Sequence, residues 1–218
     1  ELDKYFKTDD LKKCSRFWII LFKTILSKLY HWKIYVVGSV EYQYPNHLFQ
    51  AGYFLDKKYY DENTIDFKHL LLSEKNQSLL KDIQNSNSVG VHIRRGDYMT
   101  KQNLVIFGNI CTQKYYHDAI RIITEKVNDA VFYVFSDDIS WVQTHLDIPN
   151  AVYVNWNTGE SSIYDMYLMS SCKYNIIANS TFSYWAARLN KKTNMVIYPS
   201  KWYNTFTPDI FPESWCGI

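Results

Sequence analysis

The sequence predicts an α/β fold built on a parallel β-sheet with helices on both faces. From Ser88 to Pro199, short β-branched and aromatic runs alternate with segments of helical periodicity. Such alternation is typical of parallel sheets, whose strands need crossover connections. The strand segments are continuously apolar, which indicates that both sheet faces are covered. We therefore place one α/β domain at residues 88–218, after a less regular region at residues 1–87.

Five strands and four helices are predicted between Ser88 and Pro199. The strands cover residues 89–93, 131–135, 152–154, 174–178 and 195–198. The helices cover residues 113–127, 139–145, 162–172 and 182–190. Further upstream, residues 33–37 (KIYVV) are typical of a short strand, and apolar positions between residues 64 and 83 recur at helical spacing.

The composition is that of a globular protein and does not favour nucleic acid as a partner. Hydrophobic residues make up 47% of the 218, charged residues 21%, and the formal net charge is only +2. Aromatic residues reach 17%. Their flat apolar faces and polar edges match the surfaces of sugar rings. The alternative is a Tyr-rich composition without functional meaning.

The cysteines and the first residues predict a cytoplasmic protein. Cys14, Cys111, Cys172 and Cys216 form no CxxC pair, and no histidine stands at zinc-finger spacing from them, as expected for thiols in a reducing compartment. The first residues lack the basic and apolar pattern of a signal peptide. Because the sequence starts at Glu1 and not at methionine, we expect a fragment or a processed form.

Residues 11–30 (LKKCSRFWIILFKTILSKLY) mix apolar side chains with lysines and one arginine. The uncharged run at residues 17–22 is far shorter than the ~20 residues that cross a bilayer. Three interpretations stay open for this segment: a core helix between domains, an interfacial helix in contact with anionic lipid, or an irregular connector.

The loop after the first of these five strands is a candidate phosphate site, because open parallel sheets bind ligands beyond the carboxyl ends of their strands. Arg94 and Arg95 present planar forks of donors that match phosphate oxygens and can offset charge on a leaving diphosphate. Gly96 allows close backbone approach, and Asp97 either orients an arginine or faces an acceptor. The alternative is a surface turn with two solvated arginines.

Two further loops carry polar groups at strand ends. Asp137 and Asp138 follow the second of the five strands; a carboxylate there can accept from a guanine edge, hold a divalent metal, or cap the next helix. The segment at residues 179–183 (NSTFS) opens a helix after the fourth strand and suits either a phosphate or simple capping. No GxGxxG or Walker sequence is present, so neither hydride transfer nor ATP hydrolysis is favoured.

The motifs in these loops resemble those of a known enzyme family. Residues 92–97 (HIRRGD) are similar to the HxRRxD signature of α-1,2-, α-1,6- and protein O-fucosyltransferases, and residues 135–138 (FSDD) to their second motif. Residues 165–190 are similar to the third motif region of the bacterial α-1,2-fucosyltransferases of glycosyltransferase family 11. Two positions depart from the family pattern. Leu55 stands where Gln is expected, and Tyr184 stands where Trp is expected. The resemblance covers roughly residues 48–218.

This resemblance implies a GT-B fold, in which two Rossmann-like halves enclose the active site. Residues 88–218 would form the half that binds GDP-fucose, and residues 1–87 a remnant of the acceptor-side domain with a helical connector. The family's opening strand and its Gly-Gly-x-Gly-Asn-Gln-type loop are not found in the sequence. We therefore expect the N-terminal half to be truncated.

The resemblance also implies an activity and a set of site residues. The implied reaction would be inverting, metal-independent transfer of L-fucose from GDP-β-L-fucose to the 2-hydroxyl of galactose, without a cofactor. Arg94 and Asp97 are the catalytic candidates, with Asp97 as the candidate base. The donor-binding candidates are His92, Arg94, Arg95, Asp137, Asp138, Asn179, Ser180, Thr181, Phe182 and Ser183. Among them, His92 and either Asp137 or Asp138 would face guanine, Arg94 the β-phosphate, and Thr181 or Ser183 the diphosphate.

The acceptor implied is a galactose-terminated glycan, either free or lipid-linked. A lipid-linked acceptor would give residues 11–30 a role at the inner face of the membrane. The alternatives are an α-1,6- or O-fucosyltransferase and a GDP-sugar-binding module without catalysis.

Overall fold

The computed structural model describes residues 4–7, 35–38, 49–52 and 65–218. Strands β1 (Tyr35–Gly38) and β2 (Phe49–Gly52) form a parallel pair. The strand predicted at residues 33–37 corresponds to β1. The segment at residues 11–30 lies outside the described residues.

A six-stranded sheet forms the centre of the described structure. Its strands are β3 (Asn87–Ile93), β4 (Ala130–Ser136), β5 (Ala151–Val154), β6 (Tyr174–Ile176), β7 (Met195–Tyr198) and β8 (Cys216–Gly217). They are all parallel and lie in the order β5-β4-β3-β6-β7-β8. The first strand of the sheet is central, the next two lie on one side and the last three on the other, which is the Rossmann strand order. The predicted α/β fold with a parallel sheet is confirmed.

Six α-helices accompany the sheet in the part of the chain that the structure describes. They are α1 (Glu74–Asn85), α2 (Lys101–Phe107), α3 (Gln113–Lys126), α4 (Ile139–His145), α5 (Ser162–Ser170) and α6 (Thr181–Arg188). Short 3-10 turns lie at Gly96–Met99 and Gly159–Ser161. Helices α1 to α4 each begin at a residue whose side chain accepts a backbone N–H of the first turn, and these capping residues are Ser73, Thr100, Thr112 and Asp138.

The structure differs from the predicted elements in several places, and β2 is one strand that was not predicted. The spacing between residues 64 and 83 predicts one helix or two; the described residues there form one, α1, which begins at Glu74 because Ser73 is its N-cap. Helix α2 was not predicted, and it has no buried residue from which an amphipathic stripe could be read. Strand β8 has only two residues, too few to produce a periodic pattern.

Helices cover both faces of the sheet, as the apolar strands predict. Alternate side chains of β4 point to opposite faces: Phe132 and Val134 pack with α3, while Tyr133 and Phe135 pack with α1 and α5. Helix α1 contributes Leu79 and Ile83 to the second core. Helix α1 therefore packs on the sheet although it precedes residue 88. The division of the chain into two domains between residues 87 and 88 stays a prediction.

Ile83→Ala tests whether α1 unfolds together with the sheet. Ile83 is fully buried, so its truncation should lower the free energy of unfolding by roughly 2–5 kcal/mol. Urea unfolding measures this change, with Lys81→Ala on the exposed side of α1 as the control. If both variants unfold at the same urea concentration, α1 does not belong to the cooperative unit of the sheet.

Candidate functional site

A cleft opens at the carboxyl edge of the sheet. Its volume is about 740 Å³, and the segments following four strands line it. Strands β3 and β6 lie side by side, but the chain leaves them toward opposite sides of the sheet. Ligands of open α/β sheets bind at this switch point. Lining residues include His92, Arg94, Asp97, Tyr98, Ser136, Asp137, Asn157, Asp165, Ser180, Thr181 and Phe182.

Arg94 is the positively charged side chain of the cleft lining. It follows β3, and its two terminal nitrogens bind different carboxylates: Nη1 lies 2.7 Å from Asp137 Oδ2, and Nη2 pairs with Asp97. Its guanidinium carbon lies 5.5 Å from the centre of the Tyr98 ring. Asp97 thus pairs with an arginine in the structure, which is one of the two roles that the sequence suggests for it.

Asp137 connects the loops after β3 and β4. While Oδ2 pairs with Arg94, Oδ1 accepts the backbone N–H of Arg95 at 2.9 Å. A Cβ atom on Gly96 would overlap Asp137 Oδ2. The glycine between Arg95 and Asp97 therefore makes room for this carboxylate, where the sequence had suggested room for a ligand.

The structure does not bring Arg95 and Asp138 into the cleft. The Arg95 guanidinium lies 3.7 Å from the centre of the Trp141 ring, and its Nε donates to Asp138 Oδ2 at 3.1 Å. Asp138 also caps α4 by accepting from the N–H of Trp141 at 3.1 Å. The hydrogen bond from Arg95 is the main cause that lowers the pKa of Asp138. The geometry gives both side chains a scaffolding role rather than the predicted contact with a donor.

Asn179 and Ser183 are likewise buried behind the cleft. Asn179 Nδ2 donates to the carbonyls of Phe107 and Trp202, at 3.2 and 3.1 Å. Ser183 Oγ accepts the N–H of Ala178 at 3.2 Å. These bonds occupy polar groups of two donor-binding candidates, Asn179 and Ser183, and they hold the loop before α6 in place.

The start of α6 does reach the cleft, as predicted. Ser180, Thr181 and Phe182 line it, and the side chain of Ser180, the N-cap, makes no hydrogen bond to the first turn. The N-terminal end of a helix carries partial positive charge and backbone N–H donors. This end of α6 is therefore suited to an anion.

His92 is a neutral, buried lining residue. It is only 5% exposed, and its Nδ1 has no hydrogen-bond partner among the described residues. Burial, with a smaller contribution from Arg94, lowers its pKa from 6.5 to about 3, so the ring carries no charge near neutral pH. A buried nitrogen without a partner at the wall of a cleft is suited to a ligand group.

Asp165 is a site residue that was not selected from the sequence. It lies on α5, lines the cleft, and accepts from Asn157 Nδ2 at 2.6 Å. Burial raises its pKa from 3.8 to about 7, against the opposing effect of that hydrogen bond. The signal was present in the sequence as one acidic residue among the apolar residues of α5. Perturbed carboxylates in clefts are functional candidates.

Two absences hold for the part of the chain that the structure describes. No helix there has the length and apolar character needed to cross a bilayer. No three histidine, cysteine, aspartate or glutamate side chains come together there as metal ligands. Asp137 and Asp138, the two carboxylates considered for a metal, are instead paired with Arg94 and Arg95.

The family model for glycosyl transferase family 11 matches residues 13–218, nearly the whole chain. The chain belongs to glycosyltransferase family 11. The alpha-1,2-colitosyltransferase of Escherichia coli is 35% identical over 83% of the chain, and the O-antigen biosynthesis glycosyltransferase WbnK of Escherichia coli is 44% identical over 55%. The galactoside alpha-(1,2)-fucosyltransferase 2 of Pongo pygmaeus is 28% identical over 69%.

These matches confirm the family resemblance read from the motifs. They extend over only part of each relative: 63% of the colitosyltransferase, 40% of WbnK and 48% of the fucosyltransferase. The chain thus spans between two fifths and two thirds of the length of these relatives of family 11.

Asp165→Asn should stabilise the protein in a pH-dependent way. The folded-state pKa of Asp165 is raised, so its stabilising contribution is complete below pH 4 and is lost as the pH rises through about 7. The asparagine keeps an acceptor for Asn157 without a charge. We expect the melting temperature of the variant to exceed that of the wild type at pH 8, by roughly 2–4 °C per kcal/mol, and to exceed it by clearly less at pH 5.

Thermal unfolding followed by circular dichroism at the two pH values tests this expectation. Asp118→Asn, on the exposed side of α3, is the matched control because its pKa is lowered by Lys114; it should not raise the melting temperature at pH 8. A melting-temperature difference of the same size at pH 5 and pH 8 would show that the Asp165 carboxyl is not the titrating group.

Proposed function

We propose that this chain is the donor-binding half of an inverting α-1,2-fucosyltransferase that transfers L-fucose from GDP-β-L-fucose to the 2-hydroxyl of a galactose. One observation carries the proposal: Arg94, held by Asp137, projects into a cleft at the switch point of a Rossmann-type sheet. Sheets of this kind bind nucleotides at that point. Membership of glycosyltransferase family 11 supplies the reaction class.

The diphosphate is proposed to take the place of Asp97 on Arg94. With Asp97 and Asp137 both beside it, the charge of Arg94 is already compensated, so a diphosphate needs one carboxylate to leave. The Asp97 side chain is 58% exposed, whereas that of Asp137 is 27% exposed and also binds the N–H of Arg95. Asp97 is therefore the exchangeable partner. The N-terminal end of α6 supplies further donors.

Guanine is proposed to bind between Asp165 and His92. Its N1–H and N2–H groups donate in parallel, which suits a carboxylate acceptor. Of the carboxylates that line the cleft, Asp165 is the one that forms no ion pair with an arginine of the described residues. His92 Nδ1 lacks a partner there as well. This assignment replaces Asp137 and Asp138, the base contacts inferred from the motifs, since both of those carboxylates bind arginine.

The bond between fucose C1 and the β-phosphate oxygen breaks as the galactose 2-hydroxyl oxygen attacks C1 from the opposite face. Negative charge then develops on GDP, and Arg94 stabilises it without the reorganisation that water would need. The hydroxyl proton passes to Asp97, which the diphosphate has released from Arg94. We propose that this chemistry needs no metal, because a fixed guanidinium supplies the compensating charge.

Galactose in a surface polysaccharide is the proposed acceptor. One relative is an O-antigen biosynthesis glycosyltransferase, and another is a galactoside α-(1,2)-fucosyltransferase. A lipid-linked form of that acceptor would bring the enzyme to the inner face of the membrane. NMR of the product would distinguish an α-1,2 linkage from the α-1,6 and O-linked alternatives.

Colitosyl transfer is a second candidate, since the relative that matches 83% of the chain is a colitosyltransferase. Colitose is fucose without its 3-hydroxyl, so the two donors share the diphosphate and the guanine contacts. Comparing turnover of the two sugar nucleotides on one galactoside acceptor separates the candidates.

Arg94→Ala should lower turnover by roughly a hundredfold or more, because it removes the charge that stabilises the leaving diphosphate. Arg94→Lys should also be poor, since lysine cannot bridge two oxygens in the same plane. Transfer of labelled fucose from GDP-fucose to lactose measures turnover, and calorimetry measures GDP binding. Arg121→Ala is the control, since Arg121 is an exposed arginine on α3. Near-normal turnover of Arg94→Ala would refute the role of Arg94 in stabilising the leaving diphosphate. If the wild type binds GDP but transfers no fucose, a non-catalytic binding module is favoured.

Asp97→Asn should separate binding from catalysis. The asparagine no longer competes as an anion for Arg94, so GDP should bind at least as tightly as to the wild type. Turnover should fall by roughly 10²–10⁴-fold, the range for loss of a general base. The assays are the same calorimetry and transfer measurements, with Asp118→Asn as the surface control. Wild-type turnover would exclude Asp97 as the base, and much weaker GDP binding would exclude the exchange on Arg94.

A further inference from the structure

We propose that Asn76, at the start of α1, is a positioning residue that sets the orientation of the Asp165 carboxylate through Asn157. The inference rests on the guanine-binding role proposed for Asp165. Asn76 lies outside the cleft lining, and neither the motifs nor the predicted site residues include it. It is nevertheless only 1% exposed, and the hydrogen bonds of its side-chain amide connect it through Asn157 to Asp165 in the cleft.

Asn76 and Asn157 form a reciprocal amide pair. Asn76 Nδ2 donates to Asn157 Oδ1 at 3.0 Å, and Asn157 Nδ2 donates to Asn76 Oδ1 at 3.1 Å. The second hydrogen of Asn157 Nδ2 is left for Asp165 Oδ1, which it reaches at 2.6 Å. An amide that makes three hydrogen bonds to two partners has one orientation, so Asn157 is fixed relative to Asp165.

The neighbouring indole determines which way both amides point. Trp156 Nε1 lies 2.7 Å from Asn76 Oδ1, and an indole nitrogen can only donate. Asn76 must therefore present its oxygen to Trp156, which places its nitrogen against the oxygen of Asn157. Asn157 in turn presents N–H to Asp165. Since Oδ1 of Asp165 always receives this N–H, Oδ2 is left to carry the proton or, together with the second lone pair of Oδ1, to accept from a ligand.

The network is anchored on the protein core. The N–H of Asn76 donates to the N-cap Ser73 Oγ at 3.3 Å, and one turn later α1 is buried on the sheet through Leu79. Lys75 Nζ lies 3.7 Å from the centre of the Trp156 ring. The end of the network that is remote from the cleft is thus held by α1, and its other end is the carboxylate in the cleft.

A merely structural role is the competing explanation, because a buried asparagine with all its hydrogen bonds made also stabilises a fold. The two explanations differ in what Asn76→Ala does to Asp165. Without its partner, Asn157 can turn away, and Asp165 loses the hydrogen bond that opposes the effect of burial. Positioning therefore predicts a further rise in the pKa of Asp165, whereas a structural role predicts only a lower melting temperature.

The experiment compares the wild type, Asn76→Ala and the control Gln77→Ala, whose side chain is exposed on the same turn of α1. NMR titration of ¹³C-labelled aspartate carboxyls, assigned to Asp165 by its loss in Asp165→Asn, gives the pKa of this group. Calorimetry at pH 8 gives the affinity for GDP. We expect Asn76→Ala to raise the pKa and to weaken GDP binding roughly fivefold to tenfold, and Gln77→Ala to change neither.

Trp156→Phe is the second variant if Asn76→Ala does not fold. It removes the indole N–H together with the five-membered ring and keeps one aromatic ring, so it should raise the pKa of Asp165 and weaken GDP binding as Asn76→Ala does. An unchanged pKa and unchanged GDP affinity in a folded Asn76→Ala or Trp156→Phe protein would overturn the inference. If Asp165→Asn binds GDP as the wild type does, the proposed guanine contact fails, whereas a raised pKa in Asn76→Ala would still show positioning.

Discussion

The bridge that Asp137 makes between Arg94 and the backbone of Arg95 determines the rest of the site. One carboxylate holds the loop after β3 against the loop after β4, and it fixes the guanidinium that faces the cleft. Arg95, Asp138 and Trp141 brace the same loop from behind. The two arginines of the motif therefore differ in role although they are adjacent: the first contacts the cleft, and the second holds the backbone that presents it.

The sheet and most of its helices could be predicted from the sequence, because buried parallel strands and amphipathic helices leave strong periodic signals. Helix α3, for example, extends over the residues that its apolar stripe indicates, to within one residue. Helix α2 left no such signal, since none of its residues is buried. Strand β8 is too short for any period. Local pattern therefore identified the elements that bury side chains and missed those that do not.

The candidate site could be located but not resolved from the sequence. The rule that ligands bind beyond strand ends identified three of the four loops that line the cleft, yet it cannot tell which side of a loop each side chain takes. Arg95 and Asn179 turn away because Trp141 and the carbonyl of Trp202 lie behind the cleft, and those contacts join distant parts of the chain. Asp165 was missed because its helix is mostly apolar and its pattern is typical of a core helix. Only the folded structure shows that the Asp165 side chain lines the cleft.

The packing of α1 on the sheet bears on how the sheet and its helices can be produced by themselves. A gene fragment that started at residue 88 would leave one face of β4 without Leu79 and Ile83 and expose the aromatic side chains beneath them. Uncovered apolar surface of this kind promotes aggregation. A recombinant fragment that contains the sheet should therefore start upstream of Ser73, so that the capping residue and the whole of α1 are translated with the strands they cover.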